Sequence, residues 1–432
     1  MQIAFLTLFL GLTLGRYPVQ LAVEGPVAAV ELVLDGTPAG RVQGPPWTGE
    51  VDFGPGLQPH ELVARALDAR GQEIGSARQW INLPRPDAEV EIVLEPGAAP
   101  VQGAEARPAA ARLAWQNLTG ARPAIHLTLD GQPLAVGEDG RAPLPAVSSE
   151  SVHVLSAELE FPSHVTARKD AVFGGRWGSE ISAELTAVPV RLRGGRDLTP
   201  EALCGQLLAD GQPLSVAAVE DSPAQVVIVR DIGAGPAIGE LVQGSRYFDL
   251  LRYEMGLGKD DEVHLMLPVA LASASSVPTE LFSLSPALTL RNGGVFWVLS
   301  QALPGADVKG QRLADAVAVA GLRASTGNRP RAVVLVVSGH PRDGSRYASA
   351  VVRQYLETLR VPLFIWCPEK KGAQSPELAS WGEVTDVSSL SALRGAVSRL
   401  KDALAAQRIV WVEGQHLPQS ITAAAGAPFD LR

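Results

Sequence analysis

A serine, a histidine and an aspartate lie within six residues at Ser338-Gly339-His340-Pro341-Arg342-Asp343. These are the residue types of a nucleophile, its base and the acid that orients the base. The segment follows an apolar run, Ala332 to Val337, with the length of a buried strand, and ligands of open α/β sheets bind beyond strand ends. A triad, however, needs the base within hydrogen-bond reach of the nucleophile and an oxyanion hole beside it. No G-x-S-x-G elbow carries the serine. The segment is therefore expected to be a polar loop, with a serine hydrolase using Ser338 and His340 as the alternative. Gly233 and Gly235 follow another apolar run, but a dinucleotide fingerprint would need its third glycine at Ile238, and Gly239 falls one place late. The two cysteines, Cys204 and Cys367, form no C-x-x-C and no metal spacing with histidine; they read as buried thiols, with one bridge left open. His60 is expected at a half-buried strand position. Trp177, Trp297, Trp366 and Trp411 are expected in cores or between domains. Asn117-Leu118-Thr119 matches the glycosylation sequon.

A chain of 432 residues exceeds one ordinary core. The chain is 46% hydrophobic and 19% charged, with a net charge of −9 and no basic run. Phosphate binding is driven by clustered Lys and Arg, so nucleic acid is excluded as an expected partner. Met1 to Gly15 is almost wholly apolar. It is too short to span about 30 Å of hydrocarbon as a helix. Its length fits a secretory signal peptide, although no positive residue precedes it and no A-x-A site follows. Export to the periplasm or beyond is the corresponding expectation, with no membrane span once the signal is removed.

From Arg16 to Pro84 short apolar or alternating runs recur between turn residues: Tyr17 to Val23, Val30 to Leu34, Trp47 to Phe53, His60 to Asp68 and Glu73 to Leu83. Strands at this spacing point to a β-sandwich. A second such unit follows the Gly/Pro/Ala-rich stretch Pro96 to Pro108, with strands expected at Arg112 to Leu118, Ala124 to Leu129, Ser151 to Phe161 and Ile181 to Val190. Asp-Gly-x-Pro occurs three times, beginning at Asp35, Asp130 and Asp210, and marks recurrent hairpins. After Val190 apolar runs alternate with helical patterns. Strand-like runs are Val226 to Val229, Val263 to Val269, Val295 to Leu299, Ala332 to Val337 and Val361 to Trp366. Helices are expected near Ala237 to Glu254, Gln311 to Ala324, Tyr347 to Leu359 and Ser388 to Ala406. This alternation predicts a mostly parallel, doubly wound sheet.

The segment Leu207 to Gly235 resembles the entry to a von Willebrand factor A-type domain, in the bacterial von Willebrand factor A-related group. Gly310-Gln311-Arg312-Leu313-Ala314-Asp315-Ala316 resembles that family's G-T-x-L-x-D-A helix start. Ala332 to Gly339 resembles its V-V-L-L-T-D-G strand, and Arg360 to Trp366 its V-P-L-Y-V-I strand. The resemblance covers about half the chain. It implies a metal-ion-dependent adhesion site with five ligand positions, of which only Asp231 is retained. Gly233 and Gly235 replace two serines, Gln311 a threonine and Ser338 an aspartate. One carboxylate cannot supply the oxygen set that Mg²⁺ requires, so neither metal nor other cofactor is expected. Residues 30–83 similarly resemble bacterial immunoglobulin-like modules, in which His60, Asp68 and Gly71 pin the later strands.

The expected protein is thus multidomain. A signal peptide (1–15) is followed by an immunoglobulin-like sandwich (16–86) and a second sandwich (87–190). A von Willebrand factor A-like, Rossmann-type α/β domain (191–412) and a C-terminal tail (413–432) complete it. Its expected function is non-catalytic binding or scaffolding of a protein partner through a metal-free edge comprising Asp231, Gly233, Gly235, Gln311 and Ser338. Carbohydrate binding by the sandwiches is a further alternative.

Overall fold

A computed structural model describes residues 2–7, 9, 11–84, 88–96, 108–117, 122–145, 152–161, 165–174, 185–193, 199–243, 254–270, 282–292, 294–301 and 310–431. Trp177, most of the Pro96 to Pro108 stretch, part of the Asn117 sequon and the far end of the Ala237 to Glu254 helix lie outside these residues. The chain forms two compact units, Met1–Pro84 with Leu185–Arg432, and Arg85–Glu184.

The first unit begins with seven strands: β1 (Gln2–Phe5), β2 (Arg16–Glu24), β3 (Ala29–Leu34), β4 (Thr37–Val42), β5 (Thr48–Asp52), β6 (His60–Leu67) and β7 (Glu73–Ile81). They make two antiparallel sheets, ordered β1-β2-β5 and β4-β3-β6-β7. Leu62, Ala64 and Ala66 alternate along β6 and are fully buried, as a strand with one face on the core requires. The other unit carries β8 (Ala88–Pro96), β9 (Pro108–Asn117), β10 (Ala124–Leu129), β11 (Gln132–Leu134), β12 (Arg141–Pro143), β13 (Val152–Phe161) and β14 (Val165–Gly174). Its sheets are ordered β8-β9-β12 and β11-β10-β13-β14, which reproduces the first sandwich strand for strand. In both, the Asp-Gly turn joins the third and fourth strands. Asp35 and Gly36 have φ of 51° and 78°, Asp130 and Gly131 of 48° and 77°, the left-handed pair of a type I′ turn. In both, a histidine entering the sixth strand holds that aspartate. His60 Nδ1 lies 2.7 Å from Asp35 Oδ2, and His153 Nδ1 lies 2.7 Å from Asp130 Oδ2.

Two expectations are corrected in the rest of the first unit. The strand expected to close the second sandwich, Ile181 to Val190, instead appears as β15 (Leu185–Leu192) in a third β layer. The expected tail after Glu413 supplies further strands of that layer. With β15 stand β16 (Leu207–Ala209), β17 (Gln212–Pro213) and β18 (Val216–Glu220). Among the described residues, the following strands and α-helices then intervene. They are β19 (Gln225–Arg230), α1 (Gly235–Gln243), β20 (Glu262–Ala270), β21 (Phe282–Leu284), α2 (Gly294–Ser300), α3 (Leu313–Ser325), β22 (Arg331–Val336), α4 (Ser349–Thr358), β23 (Leu363–Cys367), β24 (Val384–Asp386) and α5 (Leu390–Ala405). After them the layer resumes with β25 (Gln407–Glu413), β26 (Ile421–Ala423) and β27 (Phe429–Asp430). Its sheets are β18-β25-β15-β27 and β17-β16-β26. Val188, Val190, Val410, Val412 and Phe429 form one core between them, which is why β15 pairs here and why the last residues are not a tail. The third Asp-Gly turn, at Asp210, closes the β16–β17 hairpin.

The inserted segment makes a six-stranded sheet, β21-β20-β19-β22-β23-β24, parallel throughout except for β21. Alternate residues feed two cores, Val227, Val229, Val333 and Leu335 on one face and Val226, Ile228, Val334 and Val336 on the other. Helices α3 and α4 cover the first face, and α1, α2 and α5 the second. Val295 to Leu299, read as strand-like, is helical. Val295, Phe296, Val298 and Leu299 are buried while Trp297 is 48% exposed, a helix period rather than a strand period. Trp297 is thus neither core nor buried interface, whereas Trp366 is buried.

The first sandwich is continuous with this sheet rather than a separate bead. Leu12 and Leu57 belong to the core beneath α3 and α4. Tyr347 donates to Leu12 O at 2.8 Å, and Tyr355, fully buried, donates to Asn82 O at 2.8 Å. The Asn82 amide closes the joint by accepting from Thr13 N and donating to Thr13 O, each at 2.7 Å. Within the apolar run Met1 to Gly15, expected as a signal peptide, the described residues pack against the first sandwich and the core beneath α3. They supply β1 and the buried Phe9 and Leu12. Among the described residues no helix is long and apolar enough to cross a membrane.

Candidate functional site

Beyond the carboxyl ends of β19 and β22, residues 107 positions apart meet on one carboxylate. Asp231, fully buried, follows β19 and is fixed by its own N–H donating to Val336 O at 2.8 Å. Its Oδ2 accepts from Ser338 N at 2.9 Å and from Ser338 Oγ at 2.6 Å, and its Oδ1 accepts from Gly233 N at 2.8 Å. Gln311, 1% exposed at the entry to α3, accepts from Ile232 N through Oε1 at 2.8 Å. Its Nε2 is buried without a partner. The structure thus brings together Asp231, Gly233, Gln311 and Ser338. Gly235 stands apart from the carboxylate, at the start of α1.

A buried carboxylate is tolerated only when hydrogen-bonded. Three protein donors satisfy Asp231, two of them from Ser338. Gly233 leaves no space to spare, since a Cβ there would lie 3.3 Å from both Asp231 Oδ1 and Ser338 Oγ. These oxygens are turned to protein hydrogens, and the neighbouring side-chain ligands needed for a hard cation are missing. Among the described residues no group of three or more His, Cys, Asp or Glu could hold a metal ion. The residues do not fit Mg²⁺.

Ser338 and His340 are not brought together. The Ser338 hydroxyl is spent on Asp231, while His340 Nδ1 sits 3.1 Å from Glu377 Oε1 in an exposed contact. Asp343, the third member of the triad-like hexapeptide, caps α3 by accepting from Leu313 N at 2.8 Å and Ala314 N at 3.3 Å. A carboxylate at a helix N-terminus satisfies donors that otherwise lack partners.

Several supporting residues carry no motif. Glu369 accepts from Gly339 N at 2.9 Å. Position 339 admits only glycine because a Cβ would meet Gly372 Cα at 2.8 Å. Arg230, buried at the end of β19, donates to Val298 O, Gln301 O and Gly235 O and so ties α2 and α1 to the sheet. Burial pushes its guanidinium down to about 10. Burial likewise pushes the Cys367 thiol up, aided by the nearby Glu369, Asp386 and Asp231 carboxylates. Cys367 is buried and Cys204 exposed, and both are free, so no bridge joins them. The only local signal for Arg230 is a cation directly after an apolar strand run.

No family model matches the chain, and no curated protein matches it. Among solved structures, the fibronectin(III)-like modules of Clostridium thermocellum CbhA are 12% identical over 40% of this chain and 94% of theirs, with a TM-score of 0.17. The central fibronectin-III array of RIM-binding protein is 10% identical over 46% of this chain and 80% of its own, with a TM-score of 0.23. Proximal thread matrix protein 1 from the mussel byssus is 13% identical over 44% of this chain and 50% of its own, with a TM-score of 0.28. Likenesses at these scores carry no inference about what the chain does.

Proposed function

We propose that the chain is a non-catalytic protein-binding or scaffolding protein whose α/β sheet is von Willebrand factor A-like and binds without a metal. One observation supports this most strongly: Asp231, the retained residue of the family's metal site, is occupied by Gly233 and Ser338 donors. The resemblance of residues 207–235, 310–316 and 332–339 to that family supports the scaffold assignment. In this reading a partner contacts the rim of the edge, where His340 and Glu377 are exposed, while the Asp231 cluster holds the loops in place. The hydrolase alternative has its two side chains committed elsewhere. Carbohydrate binding by the sandwiches would be favoured by an exposed aromatic pair, and the exposed large apolar side chains among their described residues are Leu6 and Ile74.

The test is capture from source extract by the full chain, its His340→Glu variant and its Asp231→Asn variant, each with and without chelator. The reading expects a partner retained in chelator and lost with His340→Glu. A partner released by chelator, or one captured equally by all three proteins, would refute it.

A further inference from the structure

At the opposite end of the sheet lies a cleft of about 1100 Å³ between α4, α5 and the start of β23, reaching β15 and the residues after β25. The register pairs Leu363 with Val333. Ser338 lies five residues further on, so the cleft and the Asp231 cluster are separated by roughly 17 Å of strand. The cleft is therefore a distinct place in the molecule, and nothing said of the Asp231 edge bears on it.

Four arginines line it, Arg191, Arg353, Arg360 and Arg399, with Glu357, Glu383 and Asp402. Arg353 is paired with Glu357 at 3.9 Å. Arg191 and Arg399 are exposed and make no side-chain hydrogen bond or ion pair among the described residues. Arg360 differs because it is only 7% exposed. It also holds a left-handed backbone conformation, φ 56°, which is unfavourable for a residue bearing a Cβ. Its Nη2 donates to Pro418 O at 2.7 Å and Ile421 O at 3.0 Å, whereas its Nε and Nη1 have no protein acceptor among the described residues. At the start of β22, Arg331 is 5% exposed and among the described residues donates only to carbonyls, Leu359 O at 2.9 Å and Ser325 O at 3.4 Å. Two guanidinium groups are thus buried with no carboxylate hydrogen-bonded to either among the described residues. Buried charge of one sign calls for a counter-charge.

We propose that this cleft binds a small organic phosphate, its phosphate held by Arg360 on the floor with Arg191 and Arg399, and its apolar body lying along Phe364 and Trp381. The guanidinium groups of Arg191 and Arg399, with the remaining Nε and Nη1 of Arg360, offer more N–H donors than one carboxylate can accept, and a phosphate can take them. The volume is that of a small-molecule site, and Leu363, Phe364, Ile365 and Trp381 in the lining give it an apolar wall. Glu383 and Asp402 select against polyanions and leave room for a ligand with a single anionic head.

The experiment is calorimetric titration of the full chain with phenyl phosphate, and with benzyl alcohol as its uncharged counterpart. Saturable binding of phenyl phosphate is expected, weakened at least tenfold by the double variant Arg191→Ala/Arg399→Ala. Both substitutions are at exposed positions, so circular dichroism should be unchanged. Arg360→Met should abolish binding. If that variant unfolds, the double variant still decides. Absence of saturable phenyl phosphate binding, equal affinity for benzyl alcohol, or undiminished affinity of the double variant would overturn the proposal.

Discussion

Replacing Ser338 by alanine removes one hydroxyl and leaves the backbone donor of the same residue in place. The hydroxyl lies 2.6 Å from Asp231 Oδ2, and Asp231 is fully buried. A hydrogen bond to a buried charged group contributes about 1.5–3 kcal/mol. The remaining donors, Ser338 N and Gly233 N, still satisfy one lone pair on each oxygen, so the loss should fall near 2 kcal/mol rather than at the cost of an unpaired charge. Asp231→Asn should cost more. Its amide presents N–H to one of two backbone N–H groups that now point at it, giving a donor facing a donor. The two changes should not add, because both dismantle the same contact, and a double-mutant cycle should return a coupling of about 1–2 kcal/mol. The assay is urea unfolding followed by Trp366 fluorescence, with the other tryptophans replaced by phenylalanine. The midpoint should shift while the slope holds constant. Additive losses, or a Ser338→Ala effect below about 0.5 kcal/mol, would show that the hydroxyl does not stabilise Asp231.

Gly339→Ala drives a methyl against Gly372 Cα at 2.8 Å and Glu369 Oε2 at 3.0 Å. It should cost about 1–3 kcal/mol by overpacking, read by thermal unfolding. His60→Ala and His153→Ala each free an Asp-Gly turn, and each should cost about 1 kcal/mol in its own unit only. Amide exchange should localise the first to β3–β4 and the second to β10–β11. An aromatic disulfide reagent should titrate Cys204 at once and Cys367 only on unfolding. Burial holds the Cys367 thiol above its ordinary value, so the folded state favours the protonated thiol. That stabilisation is complete below the unfolded value and lost as pH rises through the folded one. Raising pH from 7 to 8.5 should therefore not release Cys367. Removal of residues 414–432 takes away β26 and β27 and should leave the first unit unfolded, whereas a dispensable tail would leave the transition unchanged.

Local pattern went furthest where local physics decides. Asp35-Gly36, Asp130-Gly131 and Asp210-Gly211 were legible as hairpins because the left-handed turn demands those residue types. Asp231, Gln311 and Ser338 were grouped in the sequence only by a resemblance; the structure puts Ser338 on Asp231 and Gln311 on the neighbouring Ile232 N. Val295 to Leu299 was ambiguous because a short apolar run fits a strand or a buried helix, and only the exposure of Trp297 separates them. The pairing of Leu185 with Glu413 spans the whole inserted sheet, so no window of sequence could show that the last residues complete a β layer begun more than two hundred residues earlier. The strand role of Gln2–Phe5 was hidden for a related reason. An apolar N-terminal run has the same composition whether it is a leader or a first strand, and its pairing with Leu21 to Glu24 is a property of the fold. Arg360 carries no pattern at all. Its interest arises only once the fold buries it in the lining of a cleft.

Asp231 has its hydrogen-bonding capacity met by Gly233 and Ser338 rather than by a cation. Calorimetric titration of the folded full chain with Mg²⁺ and with Mn²⁺ tests this most directly. No saturable heat should appear below millimolar metal. Binding at micromolar affinity that disappears in Asp231→Ala would contradict it.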